Sequence, residues 1–372
     1  MKIASVDAIY LRLPQVEART DSSQDALLVR IETECGLVGW GEVDGSPAIA
    51  KAAIEAPMSH TRSMGLREVL LGRDPLEIDR LWHDMYEDTL YIGREGAVIQ
   101  AIAGVDLALW DIKGKALEQP VWKLLGGGFR QDIEVYASNM FQFTPEETHA
   151  RAAAAVGQGY RAVKFGWEPF GQDPVADCAQ IEAIRDAMGP AAKVMIDVGL
   201  IWDAKTTLQR ANLFRPYDLF WLEEPLHPDD LDGYAKVASG TEMRIAAGEE
   251  ECTLAGFLRL MDRGRVDLVQ IDLTRCGLTQ SMRIAAEARR RGVGVVNHNF
   301  TTDINTAASL HFLCSLPDAR IMEYCVEPGE ISCSLAEVPI RVEDGRARLP
   351  DAPGLGVVPD EKVIEKYRFD RR

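Results

Sequence analysis

The chain of 372 residues is longer than most single domains, so two units, or one barrel with an appendage, are expected. Its composition is ordinary for a globular protein, at 47% apolar and 27% charged with 31 Gly and 18 Pro, which excludes collagen-like, disordered and disulfide-framework classes. Lys plus Arg total 41 against 58 Asp plus Glu, a formal charge of -17. Without an extended basic run, such a chain is repelled by phosphate backbones and anionic lipid, so neither nucleic acid nor a membrane is expected as partner.

The seven cysteines are odd in number, scattered and free of any C-x-x-C pair, which reads as reduced thiols in a cytoplasmic protein. Residues 1–7 lack an export signal, and no apolar run reaches ~18 residues, so no membrane span is expected.

In chain order, residues 2–13 and 26–42 alternate β-branched and aromatic residues with polar ones, as strands do. Between Ala97 and Leu117 the apolar residues Val98, Ile99, Ile102, Val105, Leu109 and Ile112 form one broad helical face. Strands followed by helices predict an α+β domain over residues 1–125, closed by Pro120 and Gly126-Gly127-Gly128.

From Ile133 the texture becomes a regular alternation. Short apolar strands are predicted at 133–137, 162–166, 194–198, 219–223, 244–248, 268–273, 294–298 and 320–324. Amphipathic segments lie between them. Thr144-Pro145-Glu146-Glu147 is a capping box with Pro at the first helical position, and Asp173, Asp203, Thr253 and Thr302 are candidate caps of later helices. Eight strand–helix units across 126–330 match an α/β fold of the (β/α)8 barrel type. The competing doubly wound sheet usually carries a Gly-rich phosphate turn after its first strand, where this chain has Ser138-Asn139-Met140-Phe141. Residues 331–372, rich in Pro and Gly, leave the alternation and are expected to return to the N-terminal domain.

The strand ends carry the chemistry. Strands three to eight end in Asp197, Glu223, Glu249, Asp272, His298 and Glu323, at intervals of 23 to 26 residues. In a barrel these side chains converge on the C-terminal mouth. Three ionised carboxylates need a cation, and oxygen-only ligands on a rigid scaffold favour Mg2+ at Asp197, Glu223 and Glu249. On adjacent strands Asp272 is placed to orient His298 and raise its basicity, as a general base needs. Lys164, near the end of strand two, brings an ammonium toward the triad. A lone aspartate at a strand end most often caps the next helix, and His60, His83, His149, His227 and His311 read as surface or packing groups. That account predicts mixed residue types at the strand ends, not an unbroken acidic and basic series.

Here the sequence resembles the mandelate racemase-like branch of the enolase superfamily. Besides the strand ends, the likeness rests on Gly39-Trp40-Gly41-Glu42, on residues 103–111 (AGVDLALWD), on Lys113-Gly114-Lys115, on residues 120–127 (PVWKLLGG) and on Asp272-Leu273-Thr274-Arg275-Cys276-Gly277. It spans nearly the whole chain. The resemblance implies a modified barrel, an α+β capping domain built from the N-terminal part and the C-terminal tail, and homo-oligomers, often octamers built from dimers. It implies Mg2+ held by Asp197, Glu223 and Glu249, and a carboxylate substrate whose α-proton is removed to give an enediolate. A Lys or His base working with Mg2+ is a property of this superfamily and comes with the resemblance. By similarity His298 with Asp272 is the base, Lys164 contacts the substrate carboxylate and metal site, and Glu323 is a protonated group bonded to a substrate carboxylate oxygen.

One departure bears on the reaction. The branch commonly carries Lys-x-Lys at the end of strand two, the second lysine serving as a base on the opposite face. This chain has Lys164-Phe165-Gly166. Racemisation needs a base on each face of the α-carbon, whereas one histidine suffices to take the α-proton and then protonate a departing β-hydroxyl. The leading expectation is therefore a lyase: dehydration of a sugar acid to a 2-keto-3-deoxy acid. The alternatives are an epimerase or racemase with Lys164 reaching the far face, and a non-catalytic metal- or carboxylate-binding scaffold. Cap-loop residues Arg19, Tyr91 and Arg94 are candidate substrate contacts, with Phe300, Thr302 and Tyr324 as weaker candidates for pocket walls.

Overall fold

The computed structural model describes residues 1–18, 22–332 and 334–369. The cap opens with an antiparallel sheet of β1 (Ile3–Arg12), β2 (Asp25–Thr33) and β3 (Val38–Val43), in that spatial order. Four helices follow: α1 (Pro47–Glu55), α2 (Leu66–Leu70), α3 (Ile78–Asp88) and α4 (Ala97–Ala116). The expected apolar face of α4 is present, but Ala101, Ala103, Leu107 and Ala108 are buried as well, so the helix is enclosed on all sides. One side lies on β3, so close that a Cβ on Gly39 or Gly41 would sit 2.2 Å from the Ala108 carbonyl oxygen or 1.9 Å from that of Gly104. The two glycines of the Gly-Trp-Gly-Glu motif are thus required by backbone contact.

After α5 (Val121–Leu124) the chain builds β4 (Asp132–Met140), α6 (Pro145–Gly157), β5 (Ala162–Gly166), α7 (Pro174–Met188), β6 (Lys193–Asp197) and α8 (Ala204–Phe214). It continues with β7 (Trp221–Glu223), α9 (Leu231–Gly240), β8 (Ile245–Ala247), α10 (Leu254–Arg259), β9 (Leu268–Asp272), α11 (Leu273–Arg291), β10 (Gly294–His298), α12 (Asp303–Cys314) and β11 (Ile321–Cys325). Parallel ladders join β4 through β10 in sequence, and β11 pairs β4. Among the described residues no backbone ladder joins β10 to β11. The Asn297 amide bridges that seam instead: it accepts from the Glu323 N–H at 2.8 Å and donates to the Glu323 carbonyl at 3.3 Å. A side-chain amide here does the work of a peptide group.

The predicted caps are all made. Thr144 and Glu147 form the reciprocal capping box, and Asp173, Asp203, Thr253 and Thr302 each accept an N–H from their helix's first turn. α11 is the longest barrel helix and bends at Gly277 (φ 73°), where a Cβ would lie 2.9 Å from Asp106 Oδ2 on α4. Asp106 takes up the N–H and hydroxyl of Thr279 just past the bend (2.9 and 2.6 Å).

Residues beyond 331 serve both parts. The hairpin β12 (Val342–Glu343) and β13 (Arg346–Arg348) adds antiparallel to the start of β4. The Leu355 N–H binds Asp111 of α4 at 2.9 Å, and past α13 (Glu361–Tyr367) the Phe369 N–H binds the Tyr10 carbonyl of β1 at 2.8 Å. His311, expected as a surface or packing group, is fully buried: its Nδ1 accepts the Trp122 N–H at 3.2 Å and its Nε2 lies 3.0 Å from the Leu355 carbonyl. No helix among the described residues is long and apolar enough to cross a membrane.

Candidate active site

The parallel register brings the strand ends to one level: Gly166 pairs with Asp197, Asp197 with Glu223, and Asp272 with His298. Above them lies a cavity of about 370 Å3 at the C-terminal mouth of the barrel. Lys164, Asp197, Glu249 and His298 line it from the barrel, and Asp44 and Gly45 from the cap.

Asp197, Glu223 and Glu249 each offer an oxygen, and these atoms lie within 4.8 Å of one another, all three residues buried. Gly199 N–H holds Asp197 Oδ1 at 2.9 Å, and Trp221 Nε1–H holds Glu223 Oε2 at 2.9 Å, so one oxygen of each is fixed. Burial and the charge of Glu223 push Asp197 well above the usual carboxylate range. An all-oxygen donor set with mutually repelling charges fits a hard divalent cation. Lys164 supplies the nearest protein cation. Its Nζ bonds Glu223 Oε1 and lies 2.7 Å from Glu323 Oε1 and 3.8 Å from Asp197 Oδ2. Burial works against its charge, but Glu223 and Glu323 outweigh burial and raise its pKa well above the ordinary value.

Across the mouth, His298 Nδ1 lies 2.6 Å from Asp272 Oδ2 and Nε2 lies 3.5 Å from Glu249 Oε2. With Nδ1–H donated to Asp272, Nε2 faces the triad. Burial lowers the imidazole pKa, but the charge of Glu249 and the bond to Asp272 outweigh it and carry the pKa up to about 10. Burial pushes Asp272 up as well, and the His298 bond and charge overcome it, leaving the carboxyl below its usual value. Its other oxygen, Oδ1, accepts from the Thr274 N–H (2.7 Å), the Thr274 hydroxyl (2.5 Å) and Asn305 Nδ2 (3.2 Å). Glu323 accepts on both oxygens, from Ser138 Oγ at 2.7 Å and from the Asn299 N–H at 2.7 Å.

The structure therefore gathers Lys164, Asp197, Glu223, Glu249, Asp272, His298 and Glu323 into one site. It does not bring Tyr91 or Arg94 there: both are exposed, Tyr91 by 76%, and neither lines the cavity. Arg19 lies outside the described residues. Of the weaker candidates only Phe300 lines the cavity. Thr302 is buried against Glu42, and the Tyr324 hydroxyl donates to the Ile340 carbonyl at 3.0 Å, away from the mouth, because Tyr324 alternates to the opposite face from Glu323.

Sequence reasoning missed Asp44, Glu250 and Trp167 as lining residues, and the role of Arg275. Arg275, partly buried, pairs Asp44 of the cap at 2.9 Å and donates to the Glu249 carbonyl at 2.6 Å, so it ties β3's exit to the triad. Its position in the motif after Asp272 and the Asp that follows Gly-Trp-Gly-Glu-Val were the available signals.

Residues 3–126 match the mandelate racemase / muconate lactonizing enzyme N-terminal domain, and residues 147–363 the enolase C-terminal domain-like family. The chain belongs to the mandelate racemase-like branch of the enolase superfamily. Within this family it is 31% identical over 381 aligned positions to D-gluconate dehydratase of Thermoproteus tenax, covering 99% of this chain and 74% of that one. The crystal structure of the 3,6-anhydro-D-galactonate cycloisomerase from Zobellia galactanivorans superposes with a TM-score of 0.91 at 32% identity, over 99% of this chain and 100% of that one. A Streptomyces coelicolor racemase with bound magnesium superposes at 0.87 with 29% identity, over 99% and 100% of the two chains. Enolase-superfamily members use Mg2+, and the acidic triad is a group able to hold a divalent ion.

Proposed function

We propose that this chain is a Mg2+-dependent acid-sugar dehydratase in which His298 acts first as base and then as acid. The observation that carries the reading is Gly166. It shares the inward face of β5 with Lys164 and lines the cavity, at the position where the branch commonly has a second basic lysine. A Cβ there would lie 2.9 Å from Asp197 Cβ and 3.0 Å from its Oδ2, so any side chain at this position presses on a carboxylate of the triad. The face of the substrate opposite His298 is thus left without a base, which supports a one-base reaction. The dehydratase relative supports water loss as its outcome.

Asp197, Glu223 and Glu249 hold the cation; when bound, it supplies positive charge for the substrate carboxylate as the α-carbon loses its proton. Lys164 Nζ adds an ammonium on the same side. With a cation on the triad, the Glu249 charge that holds a proton on His298 is offset and Nε2 is freed. Nε2 then takes the α-proton, breaking the C–H bond and leaving an enediolate, while Asp272 holds Nδ1–H and stabilises the imidazolium. The imidazolium returns its proton to the β-hydroxyl as the C–O bond breaks, and water and an enol leave, the enol tautomerising to the 2-keto-3-deoxy acid. A donor role for Glu323 requires it to gain a proton and to give up its contact with Lys164. Buried donors set in place before reaction stabilise such charge more effectively than water does.

A second reading, cycloisomerisation, is favoured by the Zobellia structure: with the β-oxygen in a ring, the same steps open the ring and release no water. A library of aldonates and anhydro-aldonates, read for 2-keto acid by semicarbazide and for water loss by mass, separates the two. Release of a keto acid 18 Da lighter than its substrate supports dehydration (one water lost). A keto acid of unchanged mass moves the assignment to cycloisomerisation. Deuterium entering recovered substrate and its epimer, with no keto acid formed, sinks both and restores the epimerase alternative.

A further inference from the structure

We infer that Glu42, at the end of β3 in the cap, is a positioning residue for His298, acting through the first turn of α12 and Asp272. The inference rests on the proposed role of His298 as base. Glu42 is completely buried, and its two carboxyl oxygens point at the start of α12. Oε1 accepts the Thr302 N–H at 3.2 Å, and Oε2 accepts the Thr302 hydroxyl at 2.8 Å and the Asn305 N–H at 3.3 Å. The first N–H groups of a helix have no partner within it, so a carboxyl group from another part of the chain can fix where that turn sits. Thr302 at the same time caps the helix, its Oγ1 accepting the Ile304 N–H at 3.2 Å.

Asn305, held at its backbone by Glu42, points its side chain the other way. Nδ2 donates to Asp272 Oδ1 at 3.2 Å and to Thr301 Oγ1 at 3.2 Å, while Oδ1 accepts from Ser309 at 3.3 Å. Asp272 Oδ2 in turn lies 2.6 Å from His298 Nδ1. An unbroken series of buried hydrogen bonds therefore runs from the cap to the base. The carboxylate that meets His298 is oriented by its own loop through Thr274 and by α12 through Asn305, and α12's first turn is set by the cap. The hydrogen bonds of Glu42 go to Thr302 and Asn305 of α12, and the hydrogen-bonded path from it to the base runs through Asn305. This gives the acid of the Gly-Trp-Gly-Glu motif a task distinct from its glycines, which serve the contact with α4. When the cap shifts from its seat, Asn305 moves with α12 and Asp272 loses one of its three Oδ1 donors.

The test has a substrate-free arm and a kinetic arm. With 15N-labelled histidine, the His298 Nδ1–H resonance of the full chain is assigned by its loss in His298→Asn and compared among wild type, Glu42→Gln and Asn305→Ala. Both variants are expected to shift that resonance in the same sense and speed its exchange with water. Thr302→Val, which keeps Glu42 and removes one of its donors, is expected to give a smaller shift and serves where Glu42→Gln does not fold. Unchanged resonances in folded variants overturn the inference and leave Glu42 as a cap fastener only. On a substrate that wild type turns over, Glu42→Gln is expected to lower kcat about tenfold with KM little changed, and to add nothing further in an Asn305→Ala background. Additive losses overturn it. Failure of wild type to turn over any sugar acid counts against the proposed reaction, and the resonance arm then decides the positioning role by itself.

Discussion

At the residue scale, the site turns on two positions whose neighbours make their chemistry specific. His298 is one of six histidines in the chain, but among the described residues only here does a buried carboxylate 2.6 Å from Nδ1 leave Nε2 directed at three further acids. Replacing it with Asn removes the proposed proton carrier while keeping polarity, and a general base contributes about 10²–10⁴-fold. His298→Asn is therefore expected to lose at least about a hundredfold in kcat, with metal binding retained, measured by turnover and by Mg2+ titration side by side. Gly166 is the second position. Because a Cβ would press on Asp197, Gly166→Ala is expected to displace a triad carboxylate and weaken Mg2+ binding, read by calorimetry on the folded variant. Unaltered Mg2+ affinity in Gly166→Ala would show that Asp197 has room to yield.

At the element scale, the joints between cap and barrel are buried polar contacts at helix ends. Asp106 seats the bend of α11, Asp111 holds Trp40 and Leu355 N–H groups at 2.9 Å each, and Glu42 seats α12. Burial raises Asp106 to about 6 and Glu42 to about 8, with Thr302 and Thr279 bonds opposing the rise. His311 is the joint with a clear sign. Burial lowers its pKa from 6.5 to about 4, and its Nδ1 must accept from Trp122, so the folded form is neutral. Above pH 6.5 both folded and unfolded forms are neutral and nothing is lost. As pH falls below 6.5 the unfolded chain binds a proton that the folded chain refuses, until the folded pKa near 4 is reached. The shift corresponds to about 3 kcal/mol lost across that window. The expected outcome is a wild-type unfolding midpoint that falls between pH 6.5 and 4 more steeply than that of His311→Gln. Parallel curves for the two proteins would remove His311 from the account.

At the scale of the whole molecule, the formal charge of -17 matters mainly as solubility, but the site repeats the imbalance in miniature. Of the titratable residues lining the cavity, Asp44, Asp197, Glu249 and Glu250 face Lys164, Arg275 and His298, and each of these three bases is already paired with a carboxyl group. An anionic substrate meets net negative charge there until a divalent cation is bound. Two results are expected. Mg2+ raises the unfolding midpoint, by the equivalent of about 2.7 kcal/mol at a hundredfold excess over its Kd. A non-reacting sugar-acid analogue binds in calorimetry only when Mg2+ is present. Tight binding after exhaustive chelation would mean that Lys164 alone suffices for the carboxylate.

How much of this was legible beforehand differs by kind of feature. Strand periodicity, helix caps and the residues at the strand ends are local or regularly spaced, so the barrel and the seven residues gathered at its mouth were readable from the chain. The cap loops were not. Tyr91 and Arg94 carry suitable chemistry, yet which way a loop turns depends on contacts with distant residues, and it places both in solvent. Arg275, Asp44 and Asn305 were passed over because each acquires its task from a partner 33 to 231 residues away. The burial of α4 on all sides was hidden for the same reason: small residues such as Ala101 and Ala108 give no periodic apolar signal, and only a second packing surface makes them core.

The sequence by itself determined that acids, a histidine and a lysine end successive strands of a parallel barrel, because a period of one strand plus one helix is covalent and local. It determined too that Gly166 stands where a second base would be. Only the tertiary structure decided that a side chain at Gly166 would press on Asp197, that Lys164 is shared among three carboxylates, and that the cap's Glu42 reaches the helix whose Asn305 holds Asp272. Those facts depend on distances between segments far apart in the chain, set by close packing of the whole molecule.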